Sequence, residues 1–248
     1  MIKAANANKV YYMRGKIMRG ENRLYRQKFF ERVTPTTLDA LWEAGKVSEY
    51  PKGHILIRAK EDIDMLWVQL SGKSMLYNLT HTGRRKIIFI LGGGAMLNEH
   101  VVHEHPASLY CETLEKSEVF SVPLSFVLSC MERDFTLTKA VLETQESRIW
   151  RLGHQLKNTQ GGIHMERKLA AKLWKLSRDF GVPSKDGLEI DIDMPVALLA
   201  DLLGTSRETA SRMCSFLAEK GLMKVRKKRI TITDSGKMSA FYKTGKID

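Results

Sequence analysis

One stretch constrains this chain more than any other: residues 198–222, LLADLLGTSRETASRMCSFLAEKGL. It reads as two short amphipathic helices joined by a tight turn at Gly204. On the second helix Arg207, Glu208, Ser211 and Arg212 fall on the outer side of the N-terminal half. Those side chains suit base edges and phosphates. A buried first helix, a small turn residue and a second helix polar on its outer face make a helix-turn-helix. Thr205 and Glu208 have the spacing of a capping box, and Ser206 offers a second candidate cap. The alternative is a surface helix of a small bundle.

Composition agrees with a nucleic-acid partner. The chain has 248 residues and a formal net charge of +12, which favours an anionic partner, either nucleic acid or a membrane surface. No apolar run approaches the ~20 residues of a membrane span. The opening residues lack the apolar segment of a secretory signal, so a cytoplasmic protein is expected. The charge is uneven: residues 1–32 carry nine Lys/Arg against two Asp/Glu, and residues 163–248 carry 17 against 11. The middle is close to neutral, so the C-terminal excess fits a surface that faces DNA. The basic segment 1–32 reads as a solvated arm. Cys111, Cys130 and Cys214 are too few and too scattered for a disulfide scaffold or a zinc module.

Upstream, Thr34 and Pro35 signal a short helix over 33–45. From Val47 to Pro123 short β-rich runs (HILIRA, MLWVQLSG, KSMLYNL, RKIIFILGG, ASLYCETL, EVFSVP) alternate with turn residues, which implies an antiparallel barrel or sandwich. A single long helix is expected over 124–157. Along it Phe135, Leu142, Ile149 and Leu156 repeat every seven residues with Leu152 beside the last two. Such a seam suggests a helix paired with its own copy; the alternative is a helix packed only on its own domain. Thr138 and Gln145 interrupt the seam. The run NTQGGI over 158–163 reads as a hinge. A further helix is expected over 166–180, ended by Gly181 and Pro183, then a short strand over 188–194. Asp193 is a candidate cap for the next helix. Residues 223–225 and 229–233 flank a Lys-rich turn and read as a two-stranded wing. The expected fold is therefore α+β: a basic arm (1–32), an antiparallel β-roll or cupin-like jelly roll (33–123), a dimerisation helix (124–157), a hinge (158–165) and a winged helix-turn-helix (166–248).

In this order, these parts resemble the cyclic-AMP receptor protein/fumarate–nitrate reductase regulator (CRP/FNR) superfamily of bacterial transcription factors. The resemblance rests on YPKGHILI, LWVQLSGK, the LGGG-to-NE run over 91–99, ERKLAAKLWKLSRDFG and above all the S-R-E-T-x-S-R core of 206–212. It implies a homodimer that sets two recognition helices in the major groove of a near-palindromic duplex operator, with half-sites about one helical turn, ~34 Å, apart. It assigns base reading to Arg207, Glu208, Ser211 and Arg212, with a G·C-bearing, TGA-like half-site. Lys224, Arg226, Lys227, Lys228 and Arg229 on the wing would hold phosphates. RNA polymerase becomes a partner if the protein activates.

The chain departs from the cyclic-nucleotide members. Their glycine-glutamate pair is Asn98-Glu99 here, and their phosphate-holding Arg-Ser or Arg-Thr is Ala107-Ser108. Without that guanidinium a cyclic phosphate loses its main counter-charge. No cysteine precedes Cys111, so the N-terminal cluster of the iron–sulfur members is excluded. The outline resembles the branch that senses halogenated phenols. Tyr77, Phe89, Met96, Leu97 and Leu109 could line an effector cavity, or simply form β-roll core. Glu99 and His100 stand at its edge. His100, His103 and His105 could bind a metal or haem iron, meet an anionic ligand, or be a polar surface. Otherwise no cofactor is expected.

Three functions are in play: a regulator controlled by a small effector other than cyclic AMP, a regulator without an effector or under thiol-redox control, and an enzyme using Gly92–Gly94 to cradle a phosphate. The last lacks the Lys-Ser/Thr of a P-loop and any supported nucleophile–base pair, so no enzyme is expected.

Overall fold

A computed structural model describes residues 22–102, 105–157 and 164–246. It divides into two compact units. The first takes in the described residues up to Asn78 together with Phe89–Trp150; the second takes in Leu79–Ile88 and the described residues from Arg151 onward.

In the first unit the chain begins with two 3-10 turns, Arg23–Arg26 and Lys28–Phe30. They bury Leu24, Phe29 and Phe30. Asn22 fastens the start: its side chain accepts from Leu24 N at 3.0 Å and donates to Leu38 O at 3.0 Å. The guanidinium of Arg23 forks onto both oxygens of Glu118 at 2.8 Å. The expected solvated arm is therefore wrong for 22–32, because four apolar or amide groups there are drawn into the core. The rest of that arm, 1–21, lies outside the described residues. Helix α1 (Pro35–Ala44) follows, with Pro35 in its first turn.

Seven strands then build the roll: β1 (Lys46–Tyr50), β2 (Ile55–Ile57), β3 (Met65–Ser71), β4 (Ser74–Leu79), β5 (Arg85–Leu91), β6 (Tyr110–Thr113) and β7 (Ser117–Pro123). They form two sheets, ordered β1-β7-β3 and β2-β6-β4-β5. The register pairs Leu66 with Val122 and Val68 with Phe120, so alternate residues of β3 and β7 enter one core. Gly72 turns β3 into β4 at φ +78°; a Cβ there would sit 2.4 Å from the Ser117 hydroxyl.

The expected single helix is two: α2 (Leu124–Arg133) and α3 (Phe135–Lys157). Asp134 makes the break. Its backbone is extended, and its carboxylate accepts from Thr136 N at 2.9 Å and from the Thr34 hydroxyl at 2.6 Å. A short acid that bonds the chain just ahead of it competes with helix continuation and starts a new helix instead.

The second unit carries α4 (Met165–Phe180), β8 (Gly181–Ser184), β9 (Gly187–Ile190), α5 (Val196–Leu203), α6 (Arg207–Glu219), β10 (Met223–Arg226), β11 (Arg229–Ile232) and α7 (Ser235–Thr244). The run expected as a hinge, 158–163, lies outside the described residues. Gly181 and Pro183 do end α4, but they also begin β8, which was not anticipated. The expected two-stranded wing forms, β10 pairing with β11, and β11 pairs in addition with β9, giving a four-stranded sheet β10-β11-β9-β8. Asp193 does not cap α5, whose N-cap is Pro195. Helix α7 is an addition; Asp234 caps it by accepting from Gly236 N and Lys237 N.

Candidate DNA interface and effector site

The turn before α6 is built by two local devices. Gly204 closes α5 in the left-handed region, φ +69°, and its N–H donates to Ala200 O at 2.8 Å. Ser206, rather than Thr205, caps α6 and accepts from Thr209 N at 3.2 Å. The inner side of α6 is anchored by Ala210 and Leu217, both fully buried. The helix phase then turns Arg207, Glu208, Ser211 and Arg212 outward, and all four are exposed. Glu208 lies in the first turn. Its own backbone N–H and the Ser206 hydroxyl hold its carboxyl below the ordinary range, so it is an acceptor at neutral pH. The exposed face thus offers two guanidinium forks, an acceptor and a hydroxyl, the chemistry that reads guanine and cytosine edges in a major groove.

On the wing the five expected cations separate into two groups. Lys224 and Arg226 both reach Asp186 in the β8–β9 turn, at 2.7 and 3.0 Å. Arg229 pairs with Asp191 at 2.7 Å and Asp193 at 3.1 Å. Lys227 and Lys228 stand exposed at the tip, Lys227 at φ +57°. The acid partners were not anticipated, because they lie in the turn before β9 and in the segment after it, and the pairing of β9 with the wing has no local signal.

In the first unit Tyr77, Phe89, Met96 and Leu97 are buried in the β-roll. Tyr77 stacks on Tyr110 with ring centres 5.1 Å apart. Leu109, Glu99 and His100 are half-buried. Glu99 accepts from the hydroxyl of Ser108 at 2.9 Å and also from Ser108 N, so the two positions that stand where the cyclic-nucleotide members carry their glutamate and their Ser or Thr meet each other. The Nδ1 of His100 lies 3.5 Å from Glu99. His105 is exposed, and His103 lies outside the described residues. Among the described residues no three His, Cys, Asp or Glu side chains come together as metal ligands.

One side chain that reaches the loop after β5 comes from α3 and was not assigned to it. Arg148 is 8% exposed, and its guanidinium donates to Asn98 O and Met96 O. Gln145, one turn earlier, has its Nε2 buried and, among the described residues, without a hydrogen-bond acceptor. The seam itself is exposed: Phe135 71%, Leu142 51%, Ile149 69%, Leu152 39% and Leu156 68%. Trp150 joins it at 63%. Leu137, Val141 and Arg148 occupy the opposite, inward face.

The cysteines do not have the setting of reactive thiols. Burial pushes Cys111 up to about 12 and Cys214 up to about 11, and it raises Cys130 as well.

Comparison with known proteins matches both units. Residues 167–241 match the Crp-like helix-turn-helix domain and residues 47–134 match the cyclic nucleotide-binding domain. The chain belongs to the CRP/FNR superfamily. It is 23% identical over 217 residues to the CRP-like cAMP-activated global transcriptional regulator of Mycobacterium tuberculosis, covering 87% of this chain and 96% of that protein. Over 115 residues it is 33% identical to the global nitrogen regulator of Synechococcus elongatus, covering 46% and 51% of the two chains. Among solved structures, the c-di-GMP responsive global regulator CLP of Xanthomonas campestris superposes with a TM-score of 0.70 at 16% identity, covering 81% of this chain and all of that one. CprK complexed with OCPA superposes at 0.60 with 15% identity, covering 80% and 90%. These CRP/FNR relatives are transcriptional regulators and not enzymes, and this member of the superfamily carries a DNA-binding helix-turn-helix and an effector-binding domain. No described helix is long and apolar enough to cross a membrane.

Proposed function

We propose that this CRP/FNR member is a homodimer that reads a near-palindromic operator and is controlled by a small effector other than cyclic AMP, bound in the β-roll. The observation that carries the DNA reading is the capped α6 with Arg207, Glu208, Ser211 and Arg212 displayed beyond a buried Ala210–Leu217 face. Bidentate Arg contacts to guanine and a Glu contact to cytosine follow from that display. Lys227 and Lys228 would add phosphate contacts that orient without selecting, with Lys224, Arg226 and Arg229 doing so as the duplex competes for them against Asp186, Asp191 and Asp193. The exposed seam of α3 supports self-pairing, since an apolar stripe of that length facing water calls for a partner surface. Against cyclic AMP stands Ala107, which is buried where a phosphate-holding arginine would be needed. The raised thiols argue against redox control as the main signal. No cofactor is part of the proposal. Work on DNA would place the protein in the cytoplasm, with RNA polymerase as a partner if it activates.

Selection of duplexes from a random pool, with the oligomeric state measured by analytical ultracentrifugation, tests this reading. A dimer that enriches an inverted repeat supports it. A monomer, or a pool without enrichment, refutes it. Thermal melting with cyclic AMP should leave the midpoint unmoved; a saturable rise would restore cyclic AMP as the effector.

A further inference from the structure

The tip of the β4–β5 hairpin belongs to the second unit, together with the helix-turn-helix, and it is cationic. Residues 79–88, LTHTGRRKII, hold Arg84, Arg85 and Lys86 and no acid. The near-neutral balance of the middle of the chain hides this cluster, because acids elsewhere cancel it. Thr80 closes the tip: its N–H donates to Arg84 O at 2.8 Å, and its hydroxyl accepts from Arg84 N at 3.1 Å. Gly83 supplies the positive φ, +74°, that this turn needs. His81, Thr82 and Arg84 are exposed.

Two bonds fasten the hairpin within the second unit. The Nζ of Lys86 donates to Leu202 O, in the last turn of α5, at 3.1 Å. Its stem lies along the turn that leads into α6, where a Cβ on Gly204 would stand 2.9 Å from Lys86 Cδ. On the other side Gln155 Nε2 donates to Ile88 O at 3.3 Å, and Gln155 Oε1 accepts from Lys172 Nζ of α4 at 2.9 Å. Lys86 is half-buried, and that burial, helped by the Lys168 charge, lowers its pKa; it is an anchor. Arg84, two residues earlier, stays in water beside the recognition helix. Beyond its own backbone N–H and the Ser206 hydroxyl, the charges of Arg207 and Arg84 hold the Glu208 carboxyl down. Arg207, Glu208, Ser211 and Arg212 are all exposed with the hairpin in place, so it stands next to the reading face without covering it. A major groove is about 12 Å wide, so a helix inserted there has a phosphate backbone on each flank. A guanidinium held beside the first turn of that helix meets the backbone.

We propose that the β4–β5 hairpin is a further DNA-backbone contact: Arg84 holds a phosphate flanking the half-site that α6 reads, and Lys86 positions the hairpin against the α5–α6 turn. The contact rests on the reading of the chain as an operator-binding regulator and adds a phosphate clamp outside both the helix-turn-helix and the wing. Because the hairpin is already fastened, holding a phosphate orders little that was free before. A phosphate contact strengthens and orients binding without selecting bases, so the hairpin serves all duplexes alike.

The test uses the full chain on its selected operator and on a scrambled duplex, with fluorescence anisotropy from about 50 to 200 mM KCl. Arg84→Gln should weaken both duplexes alike and lower the slope of log affinity against log salt by about one unit for each hairpin that touches a phosphate. Lys86→Met should lower the slope as well, and in the Arg84→Gln background it should lower it no further, because its effect passes through Arg84. Arg58→Gln removes the same charge from an exposed site of the first unit and should leave the slope unchanged. A neutral methylphosphonate, placed at each flanking phosphate in turn, should weaken the unmodified protein at one position per half-site and cost Arg84→Gln nothing there. Arg84 is exposed, so its replacement carries the test even where Lys86→Met folds poorly. An unmoved slope in Arg84→Gln, an equal drop in Arg58→Gln, or no sensitive phosphate overturns the proposal. Tighter binding by Arg84→Gln overturns it too, since the hairpin would then screen the reading face. Failure of the regulator reading is separable: it is the absence of operator selection by the unmodified protein, whereas failure of the hairpin contact is intact selection with an unmoved slope.

Discussion

A side chain reads DNA only if the fold displays it, and at the residue scale α6 displays four. Arg212→Ala should cost about 1–3 kcal/mol for the true operator and relax base preference at one position of each half-site. Fluorescence anisotropy against the operator and its single-base variants checks this, and unchanged affinity and preference would remove Arg212 from the reading set. Residues also decide acid tolerance. The Arg23 guanidinium and the Ser71 hydroxyl hold the Glu118 carboxyl down at about 2. An acid depressed in the folded state contributes stability that is present above its ordinary value near 4.5 and is lost as pH falls toward 2. Because the pair is partly exposed, the contribution is discounted for screening. Arg23→Gln should shift the acid unfolding midpoint of the first unit upward, as followed by circular dichroism from pH 6 to pH 2. At this scale Arg207, Glu208, Ser211 and Arg212 were legible, since helix phase alone sets their side. The Asp186 partner of Lys224 and Arg226 was not, because it depends on strands 38 residues apart in the chain meeting.

Elements add what no residue holds alone. Helix α3 has two working faces. Leu137 and Val141 bind it to the roll, while Phe135, Leu142 and Ile149 stand in water. Ile149→Asp places a charge in the exposed seam without touching the inward face. It should give monomers in sedimentation velocity with the thermal midpoint changed little. Dimers that persist would put the interface elsewhere. The wing makes a contrasting prediction. Lys228→Ala should weaken binding to all duplexes alike and lower the slope of log affinity against log salt by about one unit. Loss of selectivity with the slope intact would contradict a phosphate role. The seven-residue repeat of α3 was readable from sequence. The break that separates α3 from α2 was not, because Asp134 ends α2 through bonds to Thr34, 100 residues away, as well as to its neighbour Thr136.

For the whole molecule the proposed symmetry makes a geometric demand. Two recognition helices on one dimer fit half-sites spaced by a whole helical turn. Inserting about 5 base pairs between half-sites puts them on opposite faces of the duplex and should abolish dimeric binding, whereas inserting about 10 keeps the phase. Gel shifts on the spaced operators read the difference, and equal binding to all spacings would mean that the two helices do not act together. The winged helix-turn-helix and the β-roll could be read from the chain because their signals are local. Gly204 must turn, Ser206 must cap, and short β-rich runs between turn residues can do little but pair. The fold decided everything that joins distant segments: the acids that hold the wing, the strand that β11 adds to β9, the burial of Leu24 and Phe30, and the entry of Arg148 into the roll. Propensity and periodicity act over a few residues, so sequence determined which elements exist and which faces are apolar. The partner of a buried charge is set by packing between segments far apart along the chain, and only the tertiary structure settles that.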